Sequence, residues 1–143
     1  MKLYHISGYI DNLKEKKFIP RIPKCKMDFE NKSIKRICFS DSILGCLKSL
    51  PEYGNGVGSK SNMKLKLGIP IFFDVYTIDS EDVNKIYSPE FLFKNNYVKD
   101  SLKTKEYWVL SEVTAKKEFR IEIIDIYFNS KDEEIIRYTK RLI

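Results

Sequence analysis

The chain has one histidine, three cysteines and no apolar run approaching the roughly 20 residues that a membrane-spanning helix needs. Each shortage removes a class of function. A single histidine, His5, excludes multi-histidine metal sites and any mechanism that requires two imidazoles, so no metal is expected. Cys25, Cys38 and Cys46 are odd in number and lack a Cys-x-x-Cys or zinc-like spacing. They are expected to be reduced, buried or half-buried thiols of a cytoplasmic protein rather than a disulfide framework. Met1 to Gly8 has no sustained apolar stretch, so neither an export signal nor a membrane partner is expected. There is no Gly-x-Ser-x-Gly elbow for a nucleophilic serine. The glycine-rich stretch Gly54 to Ser61 interrupts the Gly-Lys-Ser/Thr order that a phosphate-binding P-loop requires, and a predicted helix precedes it instead of following.

What remains describes a globular chain. Its 143 residues suit one domain, 1–143, and a 13% aromatic content argues against disorder. The net charge of +6 is concentrated. Between Lys14 and Arg36, nine basic residues face three acidic ones, a surplus equal to that of the whole chain. Such a segment is either a solvated face or an attractor for the phosphates of a nucleotide or nucleic acid.

Periodicity predicts an α+β fold. Lys2 to Ile6 reads as a first strand with Leu3 and His5 on one face and Tyr4 and Ile6 on the other. Residues 11 to 34, stiffened by Pro20 and Pro23, read as irregular. Arg36 to Phe39 is a second strand, followed by Ser40 or Asp41 as a cap. Ile43, Cys46, Leu47 and Leu50 then form the apolar face of a helix that Pro51 ends. Residues 54 to 62 read as a flexible loop. Ile69 to Ile78 is nearly continuous apolar, as a central strand covered on both faces would be. Asp79 to Ser101 reads as short helices and loops, and Glu106 to Val113 and Phe119 to Phe128 as strands. The latter changes its apolar face midway, which a β-bulge near Ile123-Ile124 would reconcile. The capping-box spacing of Ser130 and Glu133, with Lys140 and Arg141 near the end, predicts a terminal helix.

Three segments together resemble the ADP-ribosyltransferase superfamily, especially its minimal bacterial and phage-borne members. Leu3-Tyr4-His5-Ile6-Ser7 is similar to the first-strand Tyr-His-Gly-Thr/Ser motif. Arg36-Ile37-Cys38-Phe39-Ser40 and the helix after it resemble the second block, and Thr104-Lys105-Glu106 resembles the late x-x-Glu motif. The resemblance implies small mixed, mostly antiparallel sheets in a split β-core with short flanking helices. It implies NAD as substrate, held at its ribose by His5, with Ser7 and Ser40 as small hydroxyls of the pocket and Phe39 against the nicotinamide. Glu106 would be the catalytic residue. A carboxylate beside the ribose stabilises the positive charge that develops when the nicotinamide bond breaks, more in the transition state than in the ground state. Arg21 or Arg36 would contact the pyrophosphate. The departures are Ile6 in place of a small residue after the histidine, a pocket tyrosine that is not identified, and Lys105 at a position where no family role requires it.

The expected function is cleavage of NAD with transfer of ADP-ribose to a protein, a nucleic acid or water. A second reading is a non-catalytic accessory protein of a phage or mobile element that holds a nucleotide or blocks a partner. A third is RNA or DNA binding through the basic segment, or processing of an RNA 2′-phosphate. The enzyme reading requires His5, Phe39 and Glu106 to meet in one cleft, and the second gains if Glu106 points away from His5.

Overall fold

A computed structural model describes residues 1–23, 33–49 and 64–141. The expected loop at 54–62, Leu50 and Pro51, Cys25 and residues 24–32 lie outside the described residues. The chain is an α+β protein with an antiparallel sheet and few helices. Strands are β1 (Lys2–Ser7), β2 (Glu15–Phe18), β3 (Ile37–Ser40), β4 (Phe72–Asp79), β5 (Ile86–Tyr87), β6 (Glu106–Val109), β7 (Val113–Phe128) and β8 (Glu134–Arg141). Helices are α1 (Ile43–Ser49), α2 (Pro89–Lys94) and α3 (Ser101–Thr104). Where a split core of small sheets was expected, the described strands form one sheet in the order β2-β7-β4-β1-β3-β6-β5, with β8 also on β7.

The apolar run at Ile69 to Ile78 does become the central strand β4, flanked by β1 and β7 and buried from Phe73 to Thr77. On one face of the sheet Ile6, Phe73, Val75, Ile121 and Ile123 pack against Ile43, Cys46 and Leu47 of α1. On the other, Leu3, Ile37, Phe39 and Val109 form a second cluster. The sheet curls over this second face. Phe18 of β2 lies two strands beyond β1's neighbour in the order, yet its ring is 4.7 Å from that of His5. The backbone of Arg21, just past β2, closes the curl by pairing with that of Arg36 just before β3, at 3.1 and 3.0 Å.

Four expectations are corrected. The segment read as irregular contains β2, because Glu-Lys-Lys-Phe carries too little apolar signal to stand out; its order comes from pairing with Val113–Lys116. β7 begins at Val113 rather than Phe119, and its register shifts between Ile123 and Asp125, where the face change required a bulge. The terminal segment is a strand. Asn129 Oδ1 accepts hydrogen bonds from the N–H groups of Lys131 and Glu133, and Asp132 takes φ 58°, so Ser130 to Glu133 is a hairpin turn and not a capping box. Ile136 is then buried opposite Ile126. The cap of α1 is Ser42, whose hydroxyl accepts from Gly45 N at 3.0 Å, and neither Ser40 nor Asp41 takes that place. Among the described residues no helix is long and apolar enough to cross a membrane.

Candidate functional site

His5 stands in the middle of β1 with Leu3 and Ser7 on the concave face, directly opposite Tyr76 of β4. Its Nδ1 lies 2.8 Å from the Cys38 carbonyl oxygen. A carbonyl only accepts, so Nδ1 carries the proton and Nε2 presents a lone pair. The half-buried ring is wedged between Phe18 at 4.7 Å and Phe39 at 5.6 Å. Burial lowers its pKa below the ordinary 6.5; the hydrogen bond to Cys38 opposes this, and the cations Lys16 and Arg21 add to it. The imidazole is therefore neutral at neutral pH.

A stability test follows from that shift. Below 6.5 the unfolded chain binds a proton at His5 that the folded chain resists, so stability falls as pH drops through 6.5 and levels off below the folded pKa. His5 is the only histidine. Urea midpoints should thus decline between about pH 7.5 and 5 in the natural chain and decline less in His5→Gln; equal declines would show that His5 is not the cause.

Four of the seven expected site residues share the concave side. Ser7 lies two residues along β1 from His5, and its hydroxyl accepts from Tyr9 N at 3.2 Å, turning the chain at the strand end. Phe39 is 2% exposed, so it backs the imidazole from within the core and leaves no face for a nicotinamide. Arg21 is exposed and close enough to His5 to depress its pKa. Lys16, which sequence reasoning did not single out, belongs with them: its Nζ lies 5.5 Å from the Phe18 ring, 5.6 Å from Tyr9 and 5.9 Å from Tyr76. Only recognition of β2 as a strand, with Lys16 and Phe18 on one face, would have revealed it.

The other three do not share that side. Tyr4 pairs with Ser40, and Ser40 pairs with Glu106, so these side chains form one row across β1, β3 and β6. Side chains alternate along a strand, which puts this row on the face opposite His5, Phe39 and Tyr107. Glu106 is 5% exposed there, close to α1. Lys105, in the left-handed region at φ 56°, turns the chain from α3 into β6 just before it. Ser40 donates its hydroxyl proton to the Thr104 carbonyl at 2.8 Å. Arg36 is buried, its guanidinium 4.0 Å from the centre of the Trp108 ring and its Nη1 donating to the Ile34 carbonyl at 3.0 Å. Cys46, below the same row, donates its thiol proton to the Tyr4 carbonyl, and burial pushes its pKa up to about 12.

Compared with protein-family models, with curated proteins and with solved structures, the chain matches none.

A second constellation adjoins His5 on the concave face. Asp74, fully buried on β4 opposite Ser7, accepts from Arg120 Nε at 2.7 Å and lies 2.9 Å from Lys117 Nζ. Lys117, also buried, donates to both the carboxylate and the carbonyl of Asp11 at 2.7 Å. Burial pushes the Asp74 carboxyl upward, but hydrogen bonds from Arg120, Lys117 and the Asp11 N–H together hold it below its ordinary value. Burial likewise disfavours the Lys117 charge, and its bonds to Asp11 and Asp74 outweigh that and raise its pKa. Sequence reasoning missed this cluster, although one signal could have found it: a carboxylate inside an apolar strand covered on both faces needs buried cations.

Proposed function

We propose that this chain is an ADP-ribosyltransferase-like nucleotide-binding protein that holds NAD or a related dinucleotide against the His5 side of its curled sheet and does not use Glu106 to cleave it. The observation that carries this reading is the fixed tautomer of His5. An imidazole committed through Nδ1 offers Nε2 as an acceptor for a ribose hydroxyl, and its lowered pKa keeps that acceptor available at neutral pH. The half-buried Phe18 supplies an aromatic surface beside it, and Lys16 and Arg21 supply positive charge for a pyrophosphate.

Glu106 lies on the opposite face of the sheet, so its carboxylate is not positioned to follow charge on a ribose bound at His5. This favours the non-catalytic reading over NAD cleavage. Calorimetric titration with NAD tests it. His5→Ala should weaken binding by about tenfold, the scale of one hydrogen bond, with an unchanged circular dichroism spectrum. Equal affinity in His5→Ala, or no heat from the natural chain at about millimolar NAD, would overturn the assignment.

A further inference from the structure

β8 is an open edge. It pairs with β7 on one side, and among the described residues no backbone hydrogen bond reaches its other side. The strand runs for eight residues without proline or glycine, and the extra residue of the bulge in this hairpin, Ile124, belongs to β7. An edge this long and regular is a template for one more strand, because its outward N–H and C=O groups have no protein partner. Only its charges decide which strand that is.

Those charges are sorted along the chain. Asp132, Glu133 and Glu134 stand where the strand begins, and Arg137, Lys140 and Arg141 lie toward its end, so residues 132–141 carry three charges of each sign. A parallel copy of the same strand would set acid beside acid and base beside base. An antiparallel copy sets each acidic end beside a basic end, which cross-strand pairing favours.

We infer that β8 pairs with β8 of a second copy of this chain, antiparallel, across a two-fold axis that passes by Arg137 normal to the sheet. Such an axis joins residues equally spaced before and after Arg137. Glu134 then meets the partner's Lys140, Glu133 meets the partner's Arg141, and Ile136 meets the partner's Tyr138. Moving the axis one residue either way breaks both charge pairs. Residues paired across a ladder share a face, and in each copy Ile126 lies opposite Ile136 and Ile123 opposite Tyr138. The apolar row of one core therefore continues into the other, Ile126 and Ile136 being followed by the partner's Tyr138 and the partner's Ile123. Arg137 meets the partner's Arg137, and each has its own Asp125 opposite it on β7. Because both copies use the same edge, association stops at two. The interface is independent of the His5 reading.

Sedimentation velocity of the whole chain over a range of concentrations tests this. The mass is expected to rise from that of one chain to that of two and no further, while amide exchange in β8 slows over the same range. Glu133→Lys/Glu134→Lys makes both ends of the strand basic, and Lys140→Glu/Arg141→Glu makes both ends acidic. Each variant alone should dimerise at least about tenfold more weakly, and an equimolar mixture of the two should recover pairing as a heterodimer. A single-chain mass at every concentration up to about 1 mM would overturn the inference. So would a dimer that both variants leave unchanged, or a mixture that pairs no better than either variant alone. Should Lys140→Glu/Arg141→Glu fail to fold, unchanged dimerisation in Glu133→Lys/Glu134→Lys, or β8 exchange that does not depend on concentration, would still overturn it.

Discussion

Asp74→Asn is expected to lower folding stability by about 3–5 kcal/mol, the usual cost of removing one partner from a buried ion pair. The carboxylate is fully buried and bonds two cations, one of them Lys117 with a side chain only 2% exposed. With the charge gone, Lys117 keeps only Asp11, and Arg120 keeps only the Asp11 carbonyl, inside the curl of the sheet. A domain of this size has about 5–15 kcal/mol in total, so the variant should unfold at a much lower urea concentration. Replacing both charges, as Asp74→Leu with Lys117→Met, should recover part of the loss because the fully buried cation is removed with its partner, while Arg120, 23% exposed, keeps contact with water. A change within about 0.5 kcal/mol for the single variant would show that water reaches the cluster.

The same cluster sets a pH window. Asp74 is held below its ordinary 3.8, so its contribution is present above that value and is lost as pH falls through the folded pKa. Lys117 is raised above 10.5, so its contribution is present below that value and is lost as pH rises through the folded pKa. The natural chain should accordingly hold a plateau between these limits with respect to this cluster, and Asp74→Asn should lose the part of the acid limb that belongs to Asp74.

Gly45→Ala should also destabilise, against the trend of helix propensity. At an open helix position alanine is better than glycine by about 1 kcal/mol. Gly45 is buried in α1, and a Cβ there would lie 2.2 Å from Ser40 Oγ and 2.3 Å from the Thr104 carbonyl oxygen. Those two atoms form the 2.8 Å hydrogen bond that ties β3 to α3, so neither can withdraw without breaking it. The helix must lift from the sheet, at a cost of about 1–3 kcal/mol for overpacking. The thermal midpoint should fall by several degrees; a rise would mean that α1 does not sit on this row as closely as described.

These sites also mark how far the residues alone could be followed. β4 was legible because an unbroken apolar run has few alternatives, and the bulge in β7 because Ile123 and Ile124 cannot both face the core of an even strand. β2 was hidden because Lys16 and Lys17 obscure its alternation, and β8 because Ser130 and Glu133 fit a helix cap as well as a turn. His5 was legible as a strand residue on the face of Leu3. The separation of His5 from Glu106 was not, since it depends on the register Tyr4 to Ser40 to Glu106 across three strands. Asp74 was not singled out, although it is the one charge inside the apolar run Ile69 to Ile78, and its partners come from a loop and from β7, more than 40 residues downstream.

The proposed function predicts dinucleotide binding at His5 without Glu106-dependent cleavage. Release of nicotinamide from NAD, followed in the natural chain and in Glu106→Gln while binding is measured on the same samples, tests it most directly. Saturable binding in both, with no release that the substitution removes, is the predicted result. Nicotinamide release that disappears in Glu106→Gln while binding persists would contradict it and return Glu106 to the reacting side of the sheet.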